Sequence, residues 1–224
     1  LALVERNAAI MKGIIKNIMD NSFNGIFIIA SNPVDILTYI AWKESGLPHE
    51  RVIGSGTTLD TARLRSGLSE YFNVDPRNIH TYIMGEHGDT EFATWSHATI
   101  ASQPIEEYIQ KHGDKYKMAD LEQIFIDTRD AAYYIIERKK ATYFGIGMCV
   151  ARIAKAVLNN ERAILPVGVY LDGIYGQTDV FSSAPSIVSR KGIEEIIELD
   201  LTEDELQKLN HSINVLKETM KPVL

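Results

Sequence analysis

Two stretches hold most of the residues that could do chemistry. IMGEHGDTE, from Ile83 to Glu91, sets His87 between two glycines. TTLDTARLR, from Thr57 to Arg65, puts Asp60 and Arg63 about one helical turn apart, hence on one face of any helix they form. A carboxylate that holds a histidine's Nδ1 proton fixes the tautomer and raises the ring's pKa. Such a ring can pass a proton to or from a carbonyl near neutral pH. An adjacent arginine can offer its planar fork to a substrate carboxylate. The plain alternatives are a turn histidine and a solvated intrahelical ion pair. Spacing alone does not bring residues 60 and 87 together. The flanking glycines favour a ligand, because they let the backbone carry the ring close to one.

A zinc site would need further His or Cys ligands at short spacing. The remaining histidines, at 49, 80, 97, 112 and 211, form no such pattern, and Cys149 is the single cysteine. No metal is expected. Asn32, in SNPVD, comes just after the apolar run Ile26 to Ala30, bounded by Gly25 and Pro33. That run suits a parallel strand buried on both faces, and open α/β sheets bind ligands just past such strand ends. A polar residue before proline also ends a strand for reasons of its own.

Positioning these residues takes a mixed α/β framework. Helical periodicity covers the N-terminus to Asp20, then Val34 to Ser45, with a second short strand at Arg51 to Ile53. Strand, helix and strand in that order form a parallel crossover unit, about half of a doubly wound sheet. Beyond Gly56 the pattern changes to an α+β texture. Thr57 to Tyr71 reads as helix, and Ile79 to Met84 and Glu91 to Ile100 as antiparallel strands. Helical patterns follow at Leu121 to Lys140 and Tyr143 to Asn159, then extended runs at Ala163 to Tyr175 and Val180 to Val188. Thr202 and Glu205 form a capping box before the last helix. The expected division is therefore 1–56 and 57–224. Gly54-Ser55-Gly56 and Gly145-Ile146-Gly147 imitate a dinucleotide fingerprint, but Leu59 and Val150 stand where the third glycine belongs. The chain carries no pyrophosphate cradle.

A formal charge of −7 over 224 residues argues against nucleic-acid binding. Arg138-Lys139-Lys140 is too short to reverse that. No apolar run is long enough to cross a bilayer. The lone cysteine lies in an apolar helical pattern, which suits a buried thiol in a reducing cytoplasm. The chain begins without methionine, inside a helical pattern (LALVERN), and reads as a piece of a longer protein.

SNPVD, GSGTTLDTARLR, GEHGD and KATYFGIG, in this order and at these separations, resemble the NAD-dependent L-lactate dehydrogenases, bacterial type, across the whole chain. The resemblance implies a Rossmann half followed by a substrate domain. It makes His87 the proton donor and acceptor, Asp60 its partner, and Arg63 the grip on the substrate carboxylate. Asn32 and Thr142 would touch substrate, and Ala30, Ser31, Asn32, Ser55 and Ile146 would surround NAD. In the implied reaction NADH delivers hydride to the carbonyl carbon of pyruvate while His87 protonates its oxygen. Arg65 and His80 match positions that bind fructose 1,6-bisphosphate between subunits; by chemistry alone they read as a surface arginine and a strand histidine. A cytoplasmic homotetramer is implied. The family's glycine fingerprint and its mobile loop with a carbonyl-polarising arginine are absent from this sequence, so a chain starting at Leu1 is not expected to turn over alone. The rivals are a malate dehydrogenase of the same family and a non-catalytic module that keeps the fold.

Overall fold

The computed structural model describes residues 2–139 and 142–223. Leu1 of LALVERN, and Lys140 and Ala141 of KATYFGIG, lie outside the described residues, as does Leu224.

The chain opens with α1 (Ala2–Met19), β1 (Phe27–Ile29), α2 (Val34–Ser45) and β2 (Val52–Gly54). β1 and β2 pair in parallel, Phe27 opposite Val52, with α2 as the crossover between them. Gly46 closes α2 in the left-handed region at φ 62°, the usual glycine stop. Next come α3 (Thr58–Phe72), β3 (Ile79–His80), β4 (Ile83–Met84), β5 (Phe92–Ala93), β6 (Thr99–Ile100) and β7 (Gln103–Pro104). The two long strands expected between residues 79 and 100 are therefore four two-residue pieces. β4 pairs with β5 and β3 with β6, all antiparallel. A 3-10 turn at Trp95–His97 interrupts the second run, and Tyr82 O, which accepts both the amide and the hydroxyl of Thr94, sits outside the ladder.

The rest is α4 (Ile105–Lys111), α5 (Met118–Lys139), α6 (Phe144–Leu158), β8 (Ala163–Asp172), β9 (Thr178–Ser189), β10 (Gly192–Ile196) and α7 (Glu203–Met220). β8 stops at Asp172, short of the expected Tyr175, because a turn with Gly173 and Tyr175 in the left-handed region intervenes. Neither α4 nor β10 was legible in the pattern. The main sheet has the order β1-β2-β8-β9-β10, and Gly54 of β2 pairs with Gly168 of β8. One sheet thus carries the parallel pair and a three-stranded antiparallel meander.

Two apolar cores follow. The larger packs α1 (Met11, Ile15), α2, both faces of the main sheet and α7 (Leu209, Ile213). The smaller gathers Leu64, Leu68 and Phe72 of α3 around Ile79, Ile83, Ile105 and Leu121. The i, i+4 spacing of Leu64, Leu68 and Phe72 turns one stripe of α3 inward. The capping box at α7 forms: the Glu205 amide donates to Thr202 Oγ1 and the Thr202 amide to Glu205 Oε2. Glu205 also accepts the amide and hydroxyl of Ser96, so the cap ties α7 to the turn before β6.

Candidate active site

The site lies where the start of α3 meets the loop between β4 and β5. Two threonines, Thr57 at the cap of α3 and Thr61 in its first turn, hold them together. Thr57 Oγ1 donates to Ile83 O at 2.5 Å, and the Ile83 amide donates to Thr61 Oγ1 at 3.0 Å. Ser183 of β9 braces both from below: its Oγ accepts the Thr57 amide, and its backbone pairs with Gly85. Gly56, at φ 52°, makes the turn into α3. A Cβ there would stand 2.5 Å from Gly168 N, so only glycine lets the strand and helix meet this closely. From the other side Ser212 of α7 accepts the Glu86 amide and the Thr90 hydroxyl.

This staple puts His87 against Asp60. Nδ1 lies 2.6 Å from Asp60 Oδ2, and Arg63 Nη1 lies 3.7 Å from Oδ1 of the same carboxylate. Asp60 is buried, while the ring and the guanidinium are partly exposed. Burial alone would push the ring's pKa down, but the hydrogen bond and charge of Asp60, with Asp35 behind them, outweigh it and hold His87 above the ordinary histidine value. With Nδ1 committed to a carboxylate, Nε2 is the nitrogen left for a substrate.

Residue 35 was not singled out by the sequence. Asp35, in the first turn of α2, is 3% exposed, and its Oδ2 accepts the His87 amide at 2.8 Å. Oδ1 is buried without a partner. Burial raises its pKa to about 7, with the His87 amide pulling the other way. The folded value lies above the unfolded 3.8, so the stability linked to this group is full below about 3.8 and is lost as pH rises through about 7. Asp35→Ala, which strands the His87 amide, is expected to lower stability by about 2 kcal/mol or more. In denaturant titrations the gap between the two proteins should narrow as pH rises from about 4 to about 7 and change little beyond that. A gap that widens would contradict the assigned ionisation.

Glu91 was also unmarked in the sequence. Its carboxyl is 5% exposed, with Oε1 lacking a partner, and one oxygen each of Asp60 and Glu91 and a ring nitrogen of His87 lie within 4.8 Å of one another. Such spacing could suit a cation, but the 2.6 Å contact between Nδ1 and Oδ2 suits a proton.

His87, Arg63, Asn32, Ser55, Ala30, Thr142 and Ile146 line one cavity of about 140 Å³, with Leu59, Ala132 and Ile136 completing its walls. Leu59, which breaks the glycine fingerprint, faces Gly145 of α6, where an added Cβ would meet its Cδ1 at 3.0 Å. Ser31 instead faces a neighbouring groove with Asn7 and Ile10. Arg65 and His80 lie outside the cavity. Arg65 Nη2 donates to Pro76 O, just before β3, and His80 is exposed on β3. A larger cavity of about 640 Å³, between β1, α6 and Arg190, holds none of these residues.

A histidine–aspartate pair and an arginine opening together on a small cavity, at the strand ends of an α/β sheet, define a site for a proton-coupled reaction of a carboxylate-bearing carbonyl. Residues 1–54 match the lactate/malate dehydrogenase NAD binding domain, and residues 57–224 match the lactate/malate dehydrogenase alpha/beta C-terminal domain. The chain belongs to the lactate/malate dehydrogenase family. It is 59% identical over all 224 residues to L-lactate dehydrogenase 2 of Bacillus cereus and 58% identical to L-lactate dehydrogenase 1 of that species, spanning 71% of each. Among solved structures, the minor L-lactate dehydrogenase of Enterococcus mundtii in its ligands-bound form superposes with a TM-score of 0.96 at 51% identity. That match covers 100% of this chain and 71% of the other. The L-lactate dehydrogenase of Clostridium thermocellum gives a TM-score of 0.90 at 40% identity, covering 99% and 73%.

The cavity walls fit the nicotinamide end of such a cofactor. Leu59 and Ile146 offer apolar surface to a flat ring, and Asn32 and Ser55 offer an amide and a hydroxyl to its polar edge. Among the described residues, neither two-glycine stretch suits a pyrophosphate, since each carries a bulky residue at the third position.

Proposed function

We propose that this protein is an L-lactate dehydrogenase, interconverting pyruvate and L-lactate with NAD. The observation that carries the reading is the 2.6 Å bond between His87 Nδ1 and Asp60 Oδ2, opening with Arg63 onto one cavity. Residues 1–56 would belong to the cofactor-binding part and 57–224 to the substrate-binding part. Asn32, Ser55 and Ile146, with Ala30 and Ser31 leading into them, would hold the nicotinamide end of NAD. The cofactor, when bound, supplies or takes the hydride.

The protein's own groups do the rest. Arg63 grips the carboxylate of the 2-oxo acid in a two-pronged ion pair and so fixes where its carbonyl lies. Nε2 of protonated His87 then gives its proton to the carbonyl oxygen. Asp60 has already stabilised the imidazolium, so the proton is available near neutral pH. In the reverse direction neutral His87 takes the hydroxyl proton. Thr142 closes the substrate side of the cavity. The reading requires no metal.

The rival, a malate dehydrogenase, would share His87, Asp60 and Arg63. The compared relatives are all L-lactate dehydrogenases. The test is the ratio of kcat/KM for pyruvate and oxaloacetate with NADH. A strong preference for pyruvate is expected, and a preference for oxaloacetate would move the enzyme to malate.

Arg65 and His80, on elements that pack together, would bind fructose 1,6-bisphosphate between subunits of a cytoplasmic homotetramer. The support is that a guanidinium on α3 and an exposed imidazole on β3 lie on packed elements. Replacing both by alanine should abolish activation by the bisphosphate, and unchanged activation would remove them from an effector site. No described helix is long and apolar enough to cross a membrane.

A further inference from the structure

The mechanism leaves Glu91 without a task. It ends the loop that carries His87 and immediately precedes β5. Charged and titratable groups face it from three directions: Asp60 and Arg63 from α3, Arg129 from α5, and Glu86 and His87 from its own loop. Arg129 is engaged elsewhere, its Nε donating to Asp130. Asp60 has two cationic neighbours, the His87 ring at 2.6 Å and Arg63 at 3.7 Å. Glu91 Oε1 has no hydrogen-bond partner at all. Two buried carboxyls this close do not both ionise. Arg129 and Arg63 favour an ionised Glu91, but among the described residues neither forms an ion pair with it, so the charge settles on Asp60, which has the closer cations.

We propose that Asp60 and Glu91 share a single negative charge, with Glu91 the protonated partner and a positioning residue that limits how tightly Asp60 holds the His87 proton. The inference rests on the proton relay proposed above. Burial first, and the neighbouring Asp60 charge second, push Glu91 up to about 10 against the opposing pull of Arg129 and Arg63. The consequence is physical. A neutral acid beside Asp60 presents a polar group rather than a second charge to the anion and steadies it, which weakens its hold on the imidazolium. An ionised Glu91 would instead add a second negative charge within 4.8 Å of the ring and lock His87 in its charged form.

The test is the pH profile of kcat/KM for pyruvate in the intact holoenzyme, for Glu91→Gln and Glu91→Leu. Glu91→Leu removes the polar group and should raise the His87 midpoint by about half a pH unit or more. Glu91→Gln keeps a neutral polar group and should restore the original midpoint. A midpoint unmoved by leucine would make Glu91 a space filler and overturn the positioning role. A midpoint lowered by about one unit or more in Glu91→Gln would show that a charge had been removed, and would overturn the shared charge. Infrared difference spectra, wild type minus Glu91→Gln at neutral pH, give an answer independent of turnover. The C=O stretch of a protonated carboxyl is expected, and a carboxylate band in its place would overturn the proposal even if the dehydrogenase reading stands.

Discussion

Replacing His87 with glutamine is expected to lower kcat for pyruvate reduction by about 10²- to 10⁴-fold, the usual contribution of a positioned acid or base. KM for pyruvate should change little, because Arg63 still holds the carboxylate. Glutamine can donate a hydrogen bond but has no proton to give up near neutral pH, so the residual rate should lose its pH dependence. Stability offers a second readout with a definite sign. The folded pKa of His87 is raised above the ordinary histidine value of 6.5. The stabilisation it contributes is therefore complete below about 6.5 and lost as pH rises through the higher folded value. His87→Gln should cost more stability in acid than in alkali. Turnover within about threefold of wild type would remove His87 from the mechanism and favour a binding module that merely keeps the fold.

Arg63→Lys is expected to lower kcat/KM for pyruvate by about 10²-fold. Lysine keeps the positive charge but loses the fork, so a two-pronged carboxylate contact becomes a single one. The effect should fall mainly on KM, since the carboxylate is gripped both before and during the reaction. Part of it should appear in kcat as well, because a carbonyl held at one point swings away from Nε2. Arg63 also lies 3.7 Å from Asp60, so the shorter, more mobile ammonium should change the relay's midpoint by less than an Asp60 substitution does. A KM unchanged from wild type would show that another group binds the carboxylate.

The chemistry was legible because its residue types are few and its spacing is local. Asp60 and Arg63 share a helix face by arithmetic, and glycines flag His87. What brought them together was not legible: Thr57 and Thr61 are ordinary helix-start residues until Ile83 is seen between them. Asp35 and Glu91 escaped notice for a related reason. An acid in a first helical turn, or at the edge of a strand, normally points to water, and only the packing shows each of them at 5% exposure or less. Apart from the short α4, the helices were read to within a few residues, since apolar periodicity over several turns is a strong signal. The strands of residues 79–100 were not, because two-residue pieces carry no alternation. The joining of β2 to β8 through Gly54 and Gly168 depends on partners 114 positions apart in the chain, which no local pattern encodes.

The most direct test of the relay is a pair of pH profiles, kcat/KM for pyruvate reduction and for L-lactate oxidation, on the intact enzyme and its Asp60→Asn variant. Reduction needs the imidazolium and should fall as pH rises; oxidation needs the neutral ring and should rise. Both should turn at one shared midpoint above 6.5, and Asp60→Asn should move that midpoint down. Two unrelated midpoints, or a shared one that Asp60→Asn leaves in place, would contradict a proton relay through His87 and Asp60.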